Sequence, residues 1–179
     1  MHRLQTAVLA VALAFGAGSA AAADLARKDA RFLQDAAESG QLEIGASQIA
    51  ERNGSHPDVK SFAKMMVDDH TKVDGELKTL ASSKGVQLPA EPTRKVRSAL
   101  SDLQKKSGPD FDKEYADDIA VDAHEDAVKL FEKAAKDAED ADVKAFAAKT
   151  LPNLQQHLAK GKELQSLIKS THDNAKMKR

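Results

Sequence analysis

The sequence contains no cysteine and no tryptophan, and it has one tyrosine and six phenylalanines among 179 residues. Without cysteine the chain has no disulfide framework, no lipid-modified N-terminal cysteine and no cysteine nucleophile. The 27 basic and 28 acidic residues nearly cancel. A near-neutral chain with few aromatic residues offers neither the positive surface nor the stacking platforms of a nucleic-acid-binding protein.

Two further motif classes are missing from the sequence. It has no Gly-rich phosphate-binding loop and no Gly-X-Ser-X-Gly nucleophile motif. No segment alternates apolar and polar residues with the period of two that is typical of a strand. The sequence therefore gives no support to classical nucleotide or hydrolase chemistry, and we expect an all-α fold.

The N-terminal 23 residues have the pattern of a cleavable signal peptide. His2 and Arg3 precede an apolar run over residues 6–18, and small residues follow, ending Ala21-Ala22-Ala23. The run is shorter than the roughly 20 residues of a membrane-spanning helix, so an uncleaved anchor is the weaker alternative. We expect residues 1–23 to be removed and the mature chain, with no membrane span, to be periplasmic.

Helix breakers divide the remaining 156 residues. They lie at residues 53–57, 84–85, 88–92 and 107–109, and the chain is otherwise rich in Ala, Lys, Asp and Leu. We predict helices near 25–52, 57–84, 93–106, 110–137 and 140–170, with Ser55 and Ser107 as N-terminal caps. Residues 24–170 then form a ferritin-like four-helix bundle with a short crossover helix between the second and third long helices, and residues 171–179 form a flexible tail.

Helical wheels place a polar residue at the centre of the apolar face of each long helix. The second, third and fourth long helices carry His70, His124 and His157, and the first carries Glu43. Counting residues from the connecting turns, at about 1.5 Å of rise per residue, puts all four near the same height in the bundle. The sequence therefore predicts one buried layer of three imidazoles and a carboxylate.

Such a layer has two physical explanations, because unpartnered buried polar groups are costly. The four residues bind one metal ion, for which zinc, iron, manganese and copper are candidates, or they form a metal-free hydrogen-bond network. Asp74, one turn after His70, and Asp117, two turns before His124, are candidate additional ligands; both are equally explained as charges at the rim.

The sequence resembles a family of exported bacterial proteins that are expected to be ferritin-like, have no characterised function and are often labelled as outer membrane proteins. The resemblance spans nearly all of residues 28–169. It rests on Phe62-Ala63-Lys64-Met65-Met66-Val67-Asp68-Asp69-His70, Gly85 to Leu88-Pro89, Phe111-Asp112-Lys113-Glu114-Tyr115 to His124, Phe146-Ala147 to Leu151-Pro152, and His157-Leu158. It implies fold and location, and no activity.

Ferritin-like di-iron proteins have a glutamate three residues before each metal-binding histidine. Here Val67, Val121 and Leu154 occupy those positions. A single metal ion fits this pattern better than a bridged pair, and we carry over no ferroxidase, oxygenase or iron-storage activity.

The sequence favours a periplasmic binding protein with one transition-metal ion in its core and a role in envelope stress or oxidative defence. The alternative is a metal-free helical module that acts through its surface on an unidentified protein partner. A metal-dependent enzyme has the least support, because no general base stands out beyond the four core residues.

Overall fold

The computed structural model describes residues 25–177, in which the regular elements are helices and no strand occurs. The predicted signal peptide and its cleavage site lie outside this range. The helices are α1 (Arg27–Asn53), α2 (Pro57–Ser83), α3 (Arg94–Gln104), α4 (Gly108–Glu114), a π-helical segment (Tyr115–Ala123), α5 (His124–Asp137) and α6 (Ala141–Met177).

The helices form a bundle built from two hairpins. One consists of α1 and α2, and the other consists of α6 and the continuous helical run from α4 to α5. The crossover helix α3 packs against α1, and the preceding connection is held there by hydrogen bonds from Gln34 Nε2 to the Gln87 carbonyl and from Gln41 Nε2 to the Pro89 carbonyl. The predicted all-α bundle with a crossover is confirmed. Among the described helices, none has an apolar stretch of the length that crossing a membrane requires.

The third long helix differs from its prediction as one regular α-helix. Its nine central residues, Tyr115–Ala123, are wound as a π-helix. The Tyr115 hydroxyl bonds to the Ser47 hydroxyl at 2.8 Å, and the His124 ring bonds to the Ile119 carbonyl at 2.9 Å. These contacts anchor the wide segment at both ends, and the bond to Ser47 of α1 is a tertiary contact that a helical wheel does not contain.

One of the two serines predicted as N-terminal caps lies at its predicted position: Ser107 is the N-cap residue of α4, whereas Ser55 is not a cap. His56 is the N-cap of α2, and its Nδ1 accepts a hydrogen bond from the backbone N–H of Asp58. Ser55 instead donates to the buried Asp112 carboxylate, which also accepts the backbone N–H groups of Ser55 and His56. The Ser107 side chain makes no capping bond. A buried carboxylate from α4 thus organises the turn between α1 and α2.

The turn between α5 and α6 is held by a second buried carboxylate. Asp29 of α1 accepts the backbone N–H groups of Glu139 and Asp140 at 2.9 and 2.7 Å. Asp140 in turn accepts the backbone N–H groups of Asp142 and Val143, which caps the first turn of α6. The break therefore occurs at the predicted place although the turn contains neither glycine nor proline.

Helix α6 continues as a helix to Met177, beyond its predicted end at residue 170. It passes through Pro152 without ending. The flexibility of the predicted tail stays a prediction.

The apolar core consists of two clusters of buried side chains separated along the bundle. One includes Phe62, Phe111 and Tyr115, and the other includes Phe32, Phe131 and Phe146. On every long helix, the polar residue singled out by the wheels falls between the segments that supply these clusters. The polar layer thus lies at mid-height, with apolar side chains above and below it.

Candidate metal centre

The structure brings Glu43, His70, His124 and His157 together in one buried layer. Their exposed fractions are 2, 3, 0 and 2 %, respectively. One ring nitrogen from each of the three histidines lies within 4.8 Å of the other two. The described residues therefore place three imidazoles and a carboxylate in contact without access to bulk water.

Glu43 lies near the Nδ1 atoms of two of the three histidines, His70 and His124. Its Oε2 lies 3.2 Å from His70 Nδ1, and its Oε1 lies 3.8 Å from His124 Nδ1. The closer partner of His124 Nδ1 is the Ile119 carbonyl oxygen at 2.9 Å. Because Nδ1 donates to that carbonyl, the lone pair of His124 lies on Nε2.

His157 has its outward partner at the edge of the layer. Its Nε2 lies 3.1 Å from Asp69 Oδ2, and its Nδ1 is buried with no hydrogen-bond partner among the described residues. Donation from Nε2–H to the carboxylate leaves the lone pair on Nδ1. Burying an imidazole nitrogen without a hydrogen-bond partner lowers the stability of the folded state, and a metal ion bound to this atom would offset that loss.

The spacing of the three rings fits a shared ion. His70 Nε2 and His124 Nε2 are 3.3 Å apart. The ring centroids are separated by 5.4 Å between His70 and His124, 5.2 Å between His70 and His157, and 5.6 Å between His124 and His157. Imidazoles bound at about 2.0–2.1 Å around a tetrahedral ion have nitrogens about 3.3 Å and centroids about 5 Å apart. The triangle of ring centroids is nearly equilateral and slightly wider than that geometry.

Burial shifts the protonation of the layer toward neutral groups. It raises the pKa of Glu43 from 4.5 to about 8. Burial, with the neighbouring imidazoles adding to it, lowers the pKa of His70 from 6.5 to about 3, and burial lowers that of His124 to about 4. Burial also lowers the pKa of His157, although the bond with Asp69 opposes this shift. At neutral pH the metal-free layer holds a protonated Glu43 and uncharged histidines.

These protonation states give a hydrogen-bond chain across the layer. Protonated Glu43 donates from Oε2 to His70 Nδ1, His70 Nε2–H donates to His124 Nε2, and His124 Nδ1–H donates to the Ile119 carbonyl. This chain leaves His157 Nδ1 and Glu43 Oε1 without partners. The metal-free network therefore satisfies two of the three histidines.

An ionised Glu43 gives the same atoms a second arrangement. His70 Nδ1–H then donates to the Glu43 carboxylate, and the lone pair of His70 moves to Nε2. All three histidines now carry a lone pair on the nitrogen opposite their hydrogen-bonded one, with Glu43, the Ile119 carbonyl and Asp69 as the acceptors. Outer partners of this kind orient the histidine ligands of metal ions in proteins. The donor set thus fits a three-histidine metal centre.

The two candidate additional ligands pair with lysines. Asp74 Oδ2 lies 2.6 Å from Lys78 Nζ, and Asp117 Oδ2 lies 2.6 Å from Lys113 Nζ. Asp117 Oδ1 also lies 3.4 Å from Lys169 Nζ. Direct ligation of a metal ion by either aspartate stays a prediction.

Sequence reasoning did not identify two partners of the layer, Asp69 and the Ile119 carbonyl. Asp69 precedes His70, and adjacent helical residues point about 100° apart, so its contact with a histidine of α6 depends on helix packing. The Ile119 carbonyl reaches the His124 ring across five residues of the π-helical segment. Neither contact leaves a signal in a single sequence.

Chelator-treated protein is expected to be most stable near pH 6.5. Below that pH the unfolded chain takes up protons that folded His70 and His124 resist, so stability falls as pH falls. Glu43 acts in the opposite sense: its folded pKa is raised, so its contribution is lost as pH rises toward 8. Urea denaturation at pH 5, 6.5 and 8 should show roughly 1–2 kcal/mol lost on the acid side and roughly 1 kcal/mol on the alkaline side. A monotonic rise from pH 5 to 8 would contradict the neutral layer.

The comparisons with known proteins agree with this architecture. A family described as a domain of unknown function (DUF4142) matches residues 14–164, and the chain belongs to that family. A crystal structure of a DUF305 fragment from Deinococcus radiodurans is similar in fold, with a TM-score of 0.69 at 12 % identity over 80 % of this chain and 99 % of that one. No curated protein matches the chain.

Proposed function

We propose that this family member is an exported protein that binds one transition-metal ion between His70, His124 and His157. The observation that carries the proposal is the convergence of three buried imidazoles, each with one nitrogen engaged by an outer acceptor and the other available as a ligand. Three imidazoles suit zinc, copper and iron better than manganese, which prefers oxygen ligands. With a redox-active ion, the protein would serve oxidative defence or another envelope stress response.

Glu43 has a different role in this proposal from that of the three histidines. Its Oε2 lies 3.2 Å from His70 Nδ1, so its carboxylate orients the His70 ring and strengthens it as a ligand. The sequence alone predicted Glu43 as a fourth ligand, and a direct bond to the ion remains the alternative. Substitution of Glu43 distinguishes between orientation of the His70 ring and direct ligation of the ion.

Cobalt binding tests the site. Apo protein dialysed against Co²⁺ is expected to hold about one ion per chain, with visible absorption bands from a nitrogen-ligated ion. His70→Ala is expected to remove the bands because one of three ligands is lost, whereas His172→Ala, whose side chain lies outside the layer, should keep them. Glu43→Gln is expected to weaken affinity by 10- to 100-fold, about the loss typical of an outer partner, and keep the bands.

Two results would count against this assignment. Equal cobalt binding by wild type and the His70→Ala variant would place the ion elsewhere. Loss of the bands in Glu43→Gln, with the variant folded, would make Glu43 a ligand.

A metal-free helical module of the cell envelope is the second candidate. The hydrogen-bond chain from Glu43 through His70 and His124 to the Ile119 carbonyl favours it, since that chain is complete without an ion. It leaves the buried His157 Nδ1 without a partner, and for that reason we place it second.

A further inference from the structure

We propose that metal ions reach the histidine layer through the seam between α2 and α6, where Asp69 receives the cation and His157 passes it inward. This inference rests on the proposed metal site and adds the route by which that site is filled. It assigns to Asp69 a function in loading, beyond the orientation of His157.

The outer partners of the three histidines differ in their exposure to solvent. His70 contacts Glu43, which is 2 % exposed, and His124 contacts the backbone of Ile119, which is 6 % exposed. His157 contacts Asp69, whose side chain is 30 % exposed. Among these three partners, Asp69 alone joins the layer to the surface of the protein.

The His157 ring lies between the partly exposed Asp69 carboxylate and the buried layer. Its Nε2 faces Asp69, and its Nδ1 is buried without a partner among the described residues. A cation on the Asp69 carboxylate would lie beside this ring, and the other two histidine rings have their centroids within 5.6 Å of it. Transfer then requires local movement of one side chain, while the helices stay in place.

The Asp69 carboxylate already pairs with a cationic group on its outer side. Lys72 Nζ lies 3.3 Å from Asp69 Oδ1, and the Lys72 side chain is 75 % exposed. Exposed ion pairs of this kind are weak, so a divalent cation can displace the ammonium group. Lys72 thus occupies and partly blocks the position at which an incoming metal ion would first bind.

A neighbouring ion pair provides a matched control. Asp68 on the same helix pairs with Lys64 at 3.0 Å, and both side chains are more than half exposed. Neither residue contacts the histidine layer in the described hydrogen bonds and ion pairs. Substitutions in this pair change the local charge by the same amount as substitutions of Asp69 and Lys72, and they leave the proposed route intact.

A rival route lies between α1 and α2. A cavity of about 20 Å³ there is lined by residues that include Gly40, Glu43, His70 and Asp74. Its volume suits about one water molecule. This cavity lies on the side of the layer where His70 Nδ1 is already paired with Glu43, and where Asp74 is paired with Lys78. The α2–α6 seam is therefore the better candidate, and Asp74→Asn tests the other.

Stopped-flow uptake of Co²⁺ by full-length apo protein tests the route. Asp69→Asn removes the charge and keeps an oxygen that accepts from His157 Nε2–H. We expect the association rate to fall on the order of tenfold, since a divalent cation loses its attracting carboxylate. Lys72→Gln should raise the rate several-fold, and raising the ionic strength should slow wild type more than Asp69→Asn. Asp68→Asn and Lys64→Gln should leave the rate within about twofold.

Three results would overturn the route. An unchanged association rate in Asp69→Asn, with faster release of cobalt to a chelator, would mean that Asp69 only positions His157. A slower rate in Asp74→Asn alone would move the route to the α1–α2 side. Equal slowing in Asp68→Asn and Asp69→Asn would reduce the effect to general surface charge. Equilibrium dialysis of wild type, done first, shows independently whether the site itself exists.

Discussion

Gly161→Ala is expected to lower the free energy of unfolding by about 3 kcal/mol or more. A Cβ added at this buried position of α6 would overlap the carbonyl oxygen of Ala120 and lie 2.8 Å from its carbonyl carbon. Both are backbone atoms, so relief requires a shift of the π-helical segment or of α6. Alanine is normally the better helix former by about 1 kcal/mol, so this contact reverses the usual sign.

The same substitution is expected to weaken metal binding. Ala120 lies in the π-helical segment, next to Ile119, whose carbonyl fixes the His124 ring. A shift of the π-helical segment would therefore displace both the Ile119 carbonyl and the His124 ring that it orients. Cobalt affinity in Gly161→Ala should therefore fall even under conditions in which the variant is folded.

Gly75→Ala is the matched control for this prediction. Gly75 lies in α2 and is exposed, and a Cβ there would meet no atom within 4 Å. Alanine should stabilise this position by about 0.5–1 kcal/mol. Urea denaturation followed by circular dichroism measures both variants. Similar stabilities for Gly161→Ala and Gly75→Ala would contradict the close approach of α6 to the π-helical segment.

Zinc is expected to raise the free energy of unfolding by about 4 kcal/mol when its free concentration is 1,000 times the dissociation constant. The gain arises because the three histidines form a site only in the folded chain. For a domain of about 150 residues this corresponds to a rise in melting temperature of roughly 10 °C. Thermal unfolding followed by circular dichroism, with and without zinc, measures the shift.

A variant in which His70, His124 and His157 are all replaced should melt at the same temperature with and without zinc. His56→Ala, which removes a histidine at the start of α2, should retain the full shift and serves as its control. Zinc-independent melting of wild type would support the metal-free module instead. An equal shift in the triple variant would show that zinc acts at another place.

The bundle could be predicted from the sequence because its determinants are local. Helix breakers gave three of the four connections between the helices, and the length of an unbroken helix gave the fourth, between α5 and α6. The period of the apolar residues gave the buried faces, on which His70, His124 and His157 are central. The position of these histidines at mid-height of the bundle followed from counting residues along each helix, whose rise per residue is known. Each of these features belongs to one helix at a time.

The features that could not be predicted are contacts between helices. Asp29 and Asp112 are ordinary helix residues in the sequence, yet they hold turns more than 50 residues away. The π-helical segment bonds to Ser47 of α1 and lies directly against Gly161 of α6. Asp69 is adjacent to His70 and contacts His157 instead. A single sequence carries no record of such pairings.

Elemental analysis of protein purified from its native source without an affinity tag tests whether a metal ion is held by the three core histidines. We expect about one zinc, copper or iron ion per chain in the native protein and none in the variant lacking His70, His124 and His157. Absence of metal from the native protein, together with marked destabilisation of the triple variant, would contradict the claim. The histidines would then form a structural network, and the function would have to be sought on the surface.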